Sequence, residues 1–411
     1  MTAGEASTLA GRPQRIVVLN QYYWPGVEAT AHLLTELCEG LADEFDITVV
    51  TGMVRDARSL AGRSERNGVH VLRVPSTFFE RRRLALRAVN YVSFLVQAFR
   101  AAYLGQKPDL VLCMTDPPLI GDVALFVARK FRVPLVVISQ DVFPEAAVEL
   151  RRLQNPVLIA ALRGLIHYYL RRADCVVAIG DTMRARLEAK GASPERVRVI
   201  TNWTDTRGLT PKPHGNEWAR EQGLEGRFVV MHSGNIGWAQ SLDALVRAAT
   251  FLRDLEDLTI LIIGEGARHA DLVQLARTLD VEAVRFLPYQ PREVLSQSLS
   301  AAHVHVVGLA RGLSGYVVPS RLYGVLAVGR PVIAAAEPSS ETAQIVKGLG
   351  CGIVLPPGRP ELLAAEIRRF RDGAYDLDDM GRRGREWVES QAGRDVAIGR
   401  YRSLVRELLA V

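Results

Sequence analysis

The chain has 411 residues, of which 48% are hydrophobic and 23% are charged. That composition excludes wholesale disorder, and the length exceeds one ordinary hydrophobic core, so two domains are expected. The formal net charge of +6 at pH 7 permits an anionic partner such as a nucleotide, a phosphate group or an acidic membrane surface, but it selects none of them.

The cysteines and the N-terminus indicate the compartment. The four cysteines, at positions 38, 113, 175 and 351, are widely spaced and form no C-x-x-C pair, which argues against a zinc site or a disulfide framework. Residues 1–14 lack an apolar signal core, and no stretch offers the roughly 18 uninterrupted apolar residues that a spanning helix needs. We therefore expect a cytoplasmic protein that is soluble or at most rests on a membrane.

Apolar runs in the first half predict buried parallel strands separated by helices. The predicted strands are 15–20, 46–51, 69–74, 109–114, 133–139 and 174–179. Strands that alternate with helices specify a doubly wound α/β sheet, which binds ligands outside the carboxyl ends of its strands. The loops after Asn20, Met114 and Ser139 should therefore form a crevice.

A second series of strands and helices starts near Arg227. Its predicted strands are 228–233, 258–263, 284–287, 304–307, 332–335 and 353–355. Residues 202–226, which are polar and contain Pro and Gly, are the candidate linker. We therefore predict two domains, 1–205 and 206–411, with a final helix at 396–409 that returns to the first domain.

The turn that follows strand 228–233, residues 234–240, is the candidate phosphate site, and we call it the phosphate turn. Gly234 and Gly237 mark a tight turn, and a helical pattern begins at Ser241. A strand, a glycine turn and a helix together leave free backbone N–H groups at a positive helix end, which suits a phosphate. The alternative is that the glycines only allow a helix to pack closely on the sheet.

Segment 80–105 combines a basic start with apolar and aromatic residues. Its side chains of interest are Arg81, Arg82, Arg83, Arg87, Val89, Tyr91, Val92, Phe94, Leu95 and Phe99. Such a segment can lie on an anionic bilayer. It can equally be a sheet-packing helix with a solvated basic start, so both interpretations stay open.

Several motifs in this order resemble family 4 of the GT-B retaining glycosyltransferases. They are NQYYWP (20–25), QDVFPE (140–145), NWTD (202–205), SGNIG (233–237), GEG (264–266) and VPSRLYGVLAVGRPVIA (318–334). The similarity covers almost the whole chain and is greatest to the branch of bacterial surface-polysaccharide enzymes, which includes colanic-acid, O-antigen and aminofucose-transferring members.

The resemblance implies a fold and a reaction. It implies a GT-B fold, in which two Rossmann-like domains face each other across a cleft. The N-terminal domain would bind the acceptor, a glycan or a lipid-linked saccharide, and the C-terminal domain would bind a nucleotide-diphosphate sugar, which we expect to be UDP-linked. It implies no cofactor, no metal and no nucleic-acid partner, and a cytoplasmic enzyme that can attach to the inner face of the plasma membrane.

The chain departs from the family where charge is usual. The two glutamates that much of the family carries fall on Tyr316 and Gly324, and the usual cations of the phosphate turn fall on Asn235 and Gln240. A leaving diphosphate still needs a cation, and a guanidinium matches phosphate oxygens in a planar fork.

The expected donor-binding residues follow from these departures and from the motifs. They are Gly26, Gly234, Asn235, Gly237, Arg311, Ser320, Arg321 and Glu341. Arg321 is also expected to act in catalysis, with a surface ion pair as its alternative. The resemblance places Glu341 near the ribose hydroxyls of the nucleotide.

Two carboxylates at the end of strand 133–139 are candidates for the acceptor side. Asp141 and Glu145 would face the other domain, where one of them could orient or deprotonate an acceptor hydroxyl. The alternative is helix capping, a common role for Asp.

Two other functions share this architecture. A nucleotide-sugar 2-epimerase has the same two-domain plan, although the sequence shows no clear acid/base histidine constellation. A non-catalytic partner subunit would explain the missing glutamates.

Overall fold

The computed structural model describes residues 13–26, 29–53, 61–77 and 84–410, without the side chains of residues 84–88. The first half of the chain forms an eight-stranded sheet in the order β3-β4-β2-β1-β5-β6-β7-β8. Only β3 is antiparallel to its neighbour. The strands are β1 (Arg15–Leu19), β2 (Asp46–Thr51), β3 (Gly62–Arg66), β4 (Val69–Arg73), β5 (Leu110–Met114), β6 (Leu135–Ser139), β7 (Cys175–Ala178) and β8 (Val197–Val199).

Helices cover both faces of this sheet. They are α1 (Ala29–Leu41), α2 (Leu84–Tyr103), α3 (Ile120–Phe131), α4 (Glu145–Glu149), α5 (Pro156–Leu170) and α6 (Asp181–Ala189). Successive residues of β1 alternate between the two layers, because side chains of a strand point to opposite faces. Ile16 and Val18 pack with α1, whereas Val17 and Leu19 pack with α3 and α5.

The second half forms a six-stranded parallel sheet in the order β11-β10-β9-β12-β13-β14. Its strands are β9 (Phe228–Ser233), β10 (Leu258–Ile263), β11 (Val284–Leu287), β12 (Val304–Gly308), β13 (Val332–Ala335) and β14 (Gly352–Leu355). Its helices are α7 (Glu217–Glu221), α8 (Asp243–Ala248), α9 (His269–Thr278), α10 (Leu295–Ser300), α11 (Arg321–Ala327), α12 (Glu341–Leu349), α13 (Pro360–Arg371) and α14 (Leu377–Gln391).

The last helix, α15 (Arg394–Leu409), returns to the first domain as predicted. Its Tyr401 packs edge-on against Trp203, with ring centroids 5.9 Å apart. Tyr401 and Ala397 belong to the same buried cluster as Leu37 of α1. The chain thus has two Rossmann-like domains, and the predicted fold class is confirmed.

Loops at the carboxyl ends of the two sheets meet across the cleft. The loop after β6 pairs with the loop after β12 through an antiparallel bridge between Asp141 and Val317. The Val142 N–H also donates to the Tyr316 carbonyl oxygen over 2.9 Å. This edge is where the sequence predicts the ligand crevice.

The basic start of segment 80–105 lies outside the described residues, because Arg81, Arg82 and Arg83 are not among them. The remainder forms α2, which packs on α3. Within the described ranges, no helix is both long enough and apolar enough to cross a bilayer.

Candidate active site

The turn after β9 uses most of its own backbone donors. Three N–H groups of residues 234–237 donate within the protein over 2.9 Å each: Gly234 to the Ile263 oxygen, Ile236 to the Glu265 oxygen, and Gly237 to Gln240 Oε1. The helix expected from Ser241 also starts later, because Ser241 has a φ of +50° and α8 begins at Asp243. The sequence predicts free N–H groups at the start of a helix here, and the structure contradicts that prediction.

Neighbouring glycines hold the turn in place. Gly264 has a φ of +136°, and a β-carbon there would lie 2.0 Å from the Gly234 carbonyl oxygen. A β-carbon on Gly266 would lie 2.3 Å from the Ile236 oxygen. Both positions require glycine, because the loop after β10 packs directly on the phosphate turn.

Arg321 reaches this turn from the start of α11. Its Cζ lies 3.3 Å from the point that a β-carbon on Gly234 would occupy, and its Nη2 donates to the Asn235 carbonyl oxygen over 3.3 Å. Desolvation lowers the pKa of Arg321 to about 10, so the guanidinium remains charged at neutral pH. Among the described residues, no carboxylate forms an ion pair with it.

His232, at the end of β9, is the main partner of Arg321. Nη1 of Arg321 lies 3.1 Å from His232 Nδ1 and closer still to Nε2. Burial, and then the adjacent Arg321, hold the pKa of His232 well below its usual value, so the imidazole is neutral. A proton assigned to Nδ1, which lies 3.3 Å from the Val306 oxygen, leaves Nε2 as an acceptor for the guanidinium.

The loop between β12 and α11 carries Arg311 and Ser320. Arg311 is exposed at the start of the loop, and the Ser320 side chain makes no capping hydrogen bond to α11. The Glu337 carboxylate fixes the loop by accepting from the Gly312 N–H (2.9 Å) and the Ser314 hydroxyl (3.2 Å). The loop is thus ordered, and Arg321 rather than Arg311 contacts the phosphate turn.

Tyr316, which stands where the family often has a glutamate, faces the N-terminal domain. The Arg186 guanidinium lies 4.5 Å from its ring centroid, and Arg186 Nε donates to the Ser314 oxygen over 3.3 Å. An aromatic side chain here provides a cation–π contact between the domains.

Asp141 lies at the meeting point of the two domains. The hydroxyl of Thr115 lies 3.5 Å from Asp141 Oδ1, and the Ser139 hydroxyl donates to the Asp141 carbonyl oxygen over 2.9 Å. Asp141 also lines a small cavity with Tyr169 of α5. An acceptor-side role for Asp141 stays a prediction.

Glu145 is placed in an ion-pair network. Its carboxylate contacts the Lys190 ammonium and accepts from Arg163 Nε over 3.0 Å. Burial raises the pKa of Glu145, but the hydrogen bond and charge of Lys190 outweigh it, so the pKa lies below its usual value. The carboxylate thus remains ionised and is held by two cations.

Glu341 crosses the cleft and binds the N-terminal domain. Its Oε2 accepts from the N–H of Thr182 (3.0 Å) and from the Thr182 hydroxyl (2.8 Å) at the start of α6. A β-carbon on Gly180 would lie 2.4 Å from Glu341 Cδ, so glycine admits the carboxylate. One oxygen of the residue expected to bind ribose is therefore engaged by the other domain.

The remaining predicted residue, Gly26, is buried in the loop after β1, where its N–H donates to the Tyr23 oxygen over 2.9 Å. In the part of the chain that the structure describes, no three His, Cys, Asp or Glu side chains gather closely enough to hold a metal ion.

Sequence reasoning missed three residues at this edge. His232 lies inside an apolar strand, which gave no signal of its role. Tyr289, 51% exposed after β11, places its hydroxyl 3.5 Å from the Glu265 oxygen. Exposed Trp238 lies under Arg268 (4.4 Å) and Arg152 (5.3 Å). Exposed aromatic residues just after strand ends were the available signal.

Two family models match the chain. One, described as a glycosyl transferase 4-like domain, matches residues 28–203, and the other, described as glycosyl transferases group 1, matches residues 216–387. "Probable glycosyltransferase WbjE" of Pseudomonas aeruginosa is 26% identical over 313 residues, which cover 74% of this chain and 76% of the relative. "Putative colanic acid biosynthesis glycosyl transferase WcaI" of Escherichia coli K12 is 30% identical over 241 residues, 58% of each chain.

Solved structures share the fold at low identity. HepE of Anabaena in complex with UDP has a TM-score of 0.75 and 15% identity, and the match covers 96% of this chain and 100% of that one. Sucrose-phosphate synthase of Thermosynechococcus elongatus has a TM-score of 0.77 and 18% identity, over 97% and 99% of the two chains.

The two facing Rossmann-like domains and the matches to solved structures show a GT-B fold. The chain belongs to the glycosyltransferases that pair the 4-like domain with the group 1 domain, and it is an enzyme of that family. The predicted family is confirmed.

Proposed function

We propose that this enzyme transfers a sugar from a UDP-linked donor, with retention at the anomeric carbon, to a glycan or lipid-linked saccharide in surface-polysaccharide biosynthesis. The observation that carries the proposal is Arg321, a charged guanidinium at the phosphate turn that pairs with no carboxylate among the described residues. A diphosphate would supply the missing anion. Support for the donor and the pathway comes from HepE, which is similar in fold and holds UDP, and from the name of WcaI.

Arg321 would stabilise the leaving group. When the bond from the anomeric carbon to the diphosphate oxygen breaks, the oxygen leaves with the electron pair and negative charge grows on the phosphate. A guanidinium already oriented by His232 stabilises that charge without reorganising. Since most N–H groups of the turn are paired internally, the proposed roles of Gly234, Asn235 and Gly237 are close backbone approach and support of the arginine.

The acceptor side is assigned to Asp141. Its place beside the other domain's loop suits a carboxylate that accepts a hydrogen bond from the attacking hydroxyl. Glu145, which is held by Lys190 and Arg163, would instead keep the loop after β6 in position.

The donor side is assigned to the second domain. We place the division at 1–205 and 206–411, with the acceptor in the first unit and the nucleotide in the second. Glu341 would bind the ribose hydroxyls through the oxygen that Thr182 leaves available. The loops that carry Gly26, Arg311 and Ser320 complete the donor pocket in this proposal.

A lipid-linked acceptor would be met at the inner face of the plasma membrane. The enzyme would then be a cytoplasmic protein that attaches peripherally, and segment 80–105 would contribute to the contact with anionic lipid.

A single assay tests the function. The purified chain is incubated with UDP-sugars, with and without membrane lipid extract, and UDP release is measured. Release that depends on the extract and falls in Asp141→Asn supports transfer. An altered sugar without UDP release would indicate an epimerase. If neither UDP release nor an altered sugar is observed, a non-catalytic subunit is the remaining interpretation. Either of these two outcomes overturns the proposal.

A further inference from the structure

Exposed apolar side chains concentrate on one side of the N-terminal domain. Eight of the eleven exposed large hydrophobic residues in the described part of the chain lie on α2, α3 or α5, or directly after α2. They are Val89, Val92, Val96, Leu104, Phe126, Val157, Leu158 and Leu165. A soluble protein seldom leaves so many apolar side chains together in water unless that surface binds something.

The three helices form one layer. α3 packs against both α2 and α5. Arg129 of α3 donates to the Tyr168 hydroxyl of α5 over 2.7 Å, and Lys130 contacts the Tyr103 carbonyl oxygen of α2. The exposed residues therefore belong to a single surface, which we call the α2–α3–α5 face.

The α5 helix contributes most to this face. Its segment PVLIAALRGLI (156–166) is almost entirely apolar, yet Val157 is 77% exposed and Leu158 and Leu165 are also exposed. On α2 the exposed residues Val89, Val92 and Val96 recur at helical spacing. A helix whose apolar side is in water lacks the burial that ordinarily stabilises it.

The charges on the face are of one sign. Arg100, Arg129, Lys130 and Arg163 are exposed on the three helices, and Arg163 also pairs with the Glu145 carboxylate of α4. The one acidic residue of these helices, Asp122, has a buried carboxylate oxygen, and desolvation raises its pKa to about 7. Apolar side chains bordered by cations, with no exposed carboxylate on the three helices themselves, complement an anionic phospholipid surface.

The inner side of α5 connects this face to the candidate acceptor site. Ile166 and Tyr169 of α5 line the same small cavity as Asp141. A saccharide attached to a lipid in the bilayer would therefore find the acceptor carboxylate one helix away from the membrane surface.

We infer that the α2–α3–α5 face, centred on α5, binds an anionic bilayer and presents the enzyme to an acceptor anchored in that bilayer. The membrane contact is inferred from the exposed apolar side chains and the positive charges of this face. Only the presentation of the enzyme to a lipid-anchored acceptor rests on the proposed function.

Vesicle co-sedimentation of the full chain tests the inference. We expect it to sediment with phosphatidylcholine vesicles that contain phosphatidylglycerol, and much less with phosphatidylcholine alone. The triple variant Val157→Ser, Leu158→Ser, Leu165→Ser should lose roughly tenfold or more of that binding, because three apolar anchors are removed. Phe251→Ser, which changes a 54% exposed residue of the second domain, is the matched control and should bind as wild type.

The outcomes separate the inference from the proposed function. Equal binding by the triple variant and wild type, or no preference for phosphatidylglycerol, overturns the inference. The inference is also overturned if the wild-type chain binds no vesicles and instead self-associates, seen as a concentration-dependent mass in analytical ultracentrifugation that is absent in the triple variant. UDP binding by calorimetry should be unchanged in the triple variant; if no variant binds UDP while vesicle binding holds, the proposed donor fails and the membrane surface stands.

Discussion

The neutral imidazole of His232 accepts a hydrogen bond from Arg321, and its neutrality has a chemical consequence. A carboxylate in the same place would orient the guanidinium equally well but would cancel much of its charge. Burial keeps the imidazole neutral, so the whole positive charge of Arg321 remains directed at the phosphate turn. The site therefore combines a fixed orientation with an uncompensated cation.

Substitution of His232 should change turnover according to hydrogen-bonding capacity. His232→Gln keeps an acceptor for Arg321 and should retain most activity. His232→Leu should lower kcat by roughly two- to thirteenfold, the effect of losing one hydrogen bond of about 0.5–1.5 kcal/mol. Steady-state kinetics measures both. A positioning role also requires that His232→Leu has no further effect in an Arg321→Ala background; an additive loss would contradict it.

At this scale the sequence proposes Arg321 as the cation but gives no indication of its partner. Arg321 was recognisable because it follows Pro319-Ser320 and begins a helix, in a family that needs a cation there. His232 lies in the apolar strand FVVMHS, where the pattern indicates only a buried residue. The contact joins residues 89 positions apart, which no local pattern records.

The elements around the phosphate turn depend on close backbone packing. The loop after β10 touches the turn after β9 at Gly264, where a side chain has no space and the φ is positive. The turn is thus shaped by its neighbouring strand as much as by its own glycines.

Gly264→Ala should displace the phosphate turn and weaken UDP binding by at least about tenfold, because its β-carbon would clash with the Gly234 oxygen at a strained backbone conformation. Calorimetry with UDP and thermal melting check this. The matched control is Gly399→Ala, in α15, where a β-carbon meets nothing within 4 Å and a gain of about 0.5–1 kcal/mol in stability is expected. Unchanged UDP binding in Gly264→Ala would show that the turn does not hold the donor.

Element prediction succeeded where strands are apolar and failed at the edges. The strands of both sheet centres match the predicted ranges closely. Two edge strands, β3 (GRSER) and β8 (VRV), were missed because an edge strand needs little apolar sequence. The exposed apolar side of α5 was also missed, because an apolar helix ordinarily indicates a core.

At the scale of the whole molecule, the two domains hold each other through polar contacts near the site. The carboxylate of Glu341 accepts two hydrogen bonds from Thr182, and the Asp141–Val317 bridge joins the loops beside it. If Glu341 also binds the ribose as proposed, donor binding and domain contact share this residue.

Variants at this contact separate its two roles. Thr182→Val removes the hydroxyl that donates to Glu341. The loss of this hydrogen bond should weaken the contact between the domains by about 1–2 kcal/mol and shift them toward a more open arrangement, with no loss of UDP affinity. Glu341→Ala should open the domains and also weaken UDP binding. Small-angle scattering reports the radius of gyration and calorimetry the affinity. Equal UDP affinity in wild type and Glu341→Ala would remove the proposed ribose contact.

Stability should fall in acid because several histidines are buried and neutral. Desolvation lowers the pKa of His214 to about 3 and those of His303 and His305 to about 4, and it also depresses the pKa of His232. Below about pH 6.5 the unfolded chain binds protons that the folded chain does not, so stability is present above that pH and declines toward pH 4.

Urea unfolding between pH 7 and pH 4.5 measures this decline, which approaches roughly 1.4 kcal/mol per pH unit for each such histidine. His214→Asn, which removes a buried imidazole that is neutral in the folded chain, should reduce the slope. A stability that is constant or rises over this range would contradict the neutral state of these side chains.

The kinetics of Arg321 variants test the central claim most directly. Arg321→Ala should lower kcat about ten- to a hundredfold, the loss of a charge-assisted contact of roughly 1.5–3 kcal/mol, and should change substrate affinity less, because the stabilised charge grows as the bond breaks. Arg321→Lys should recover only part, since an ammonium cannot bridge two oxygens in a plane. Near-normal turnover in Arg321→Ala, together with a large loss in Arg311→Ala, would contradict the account and assign the cation to the neighbouring loop.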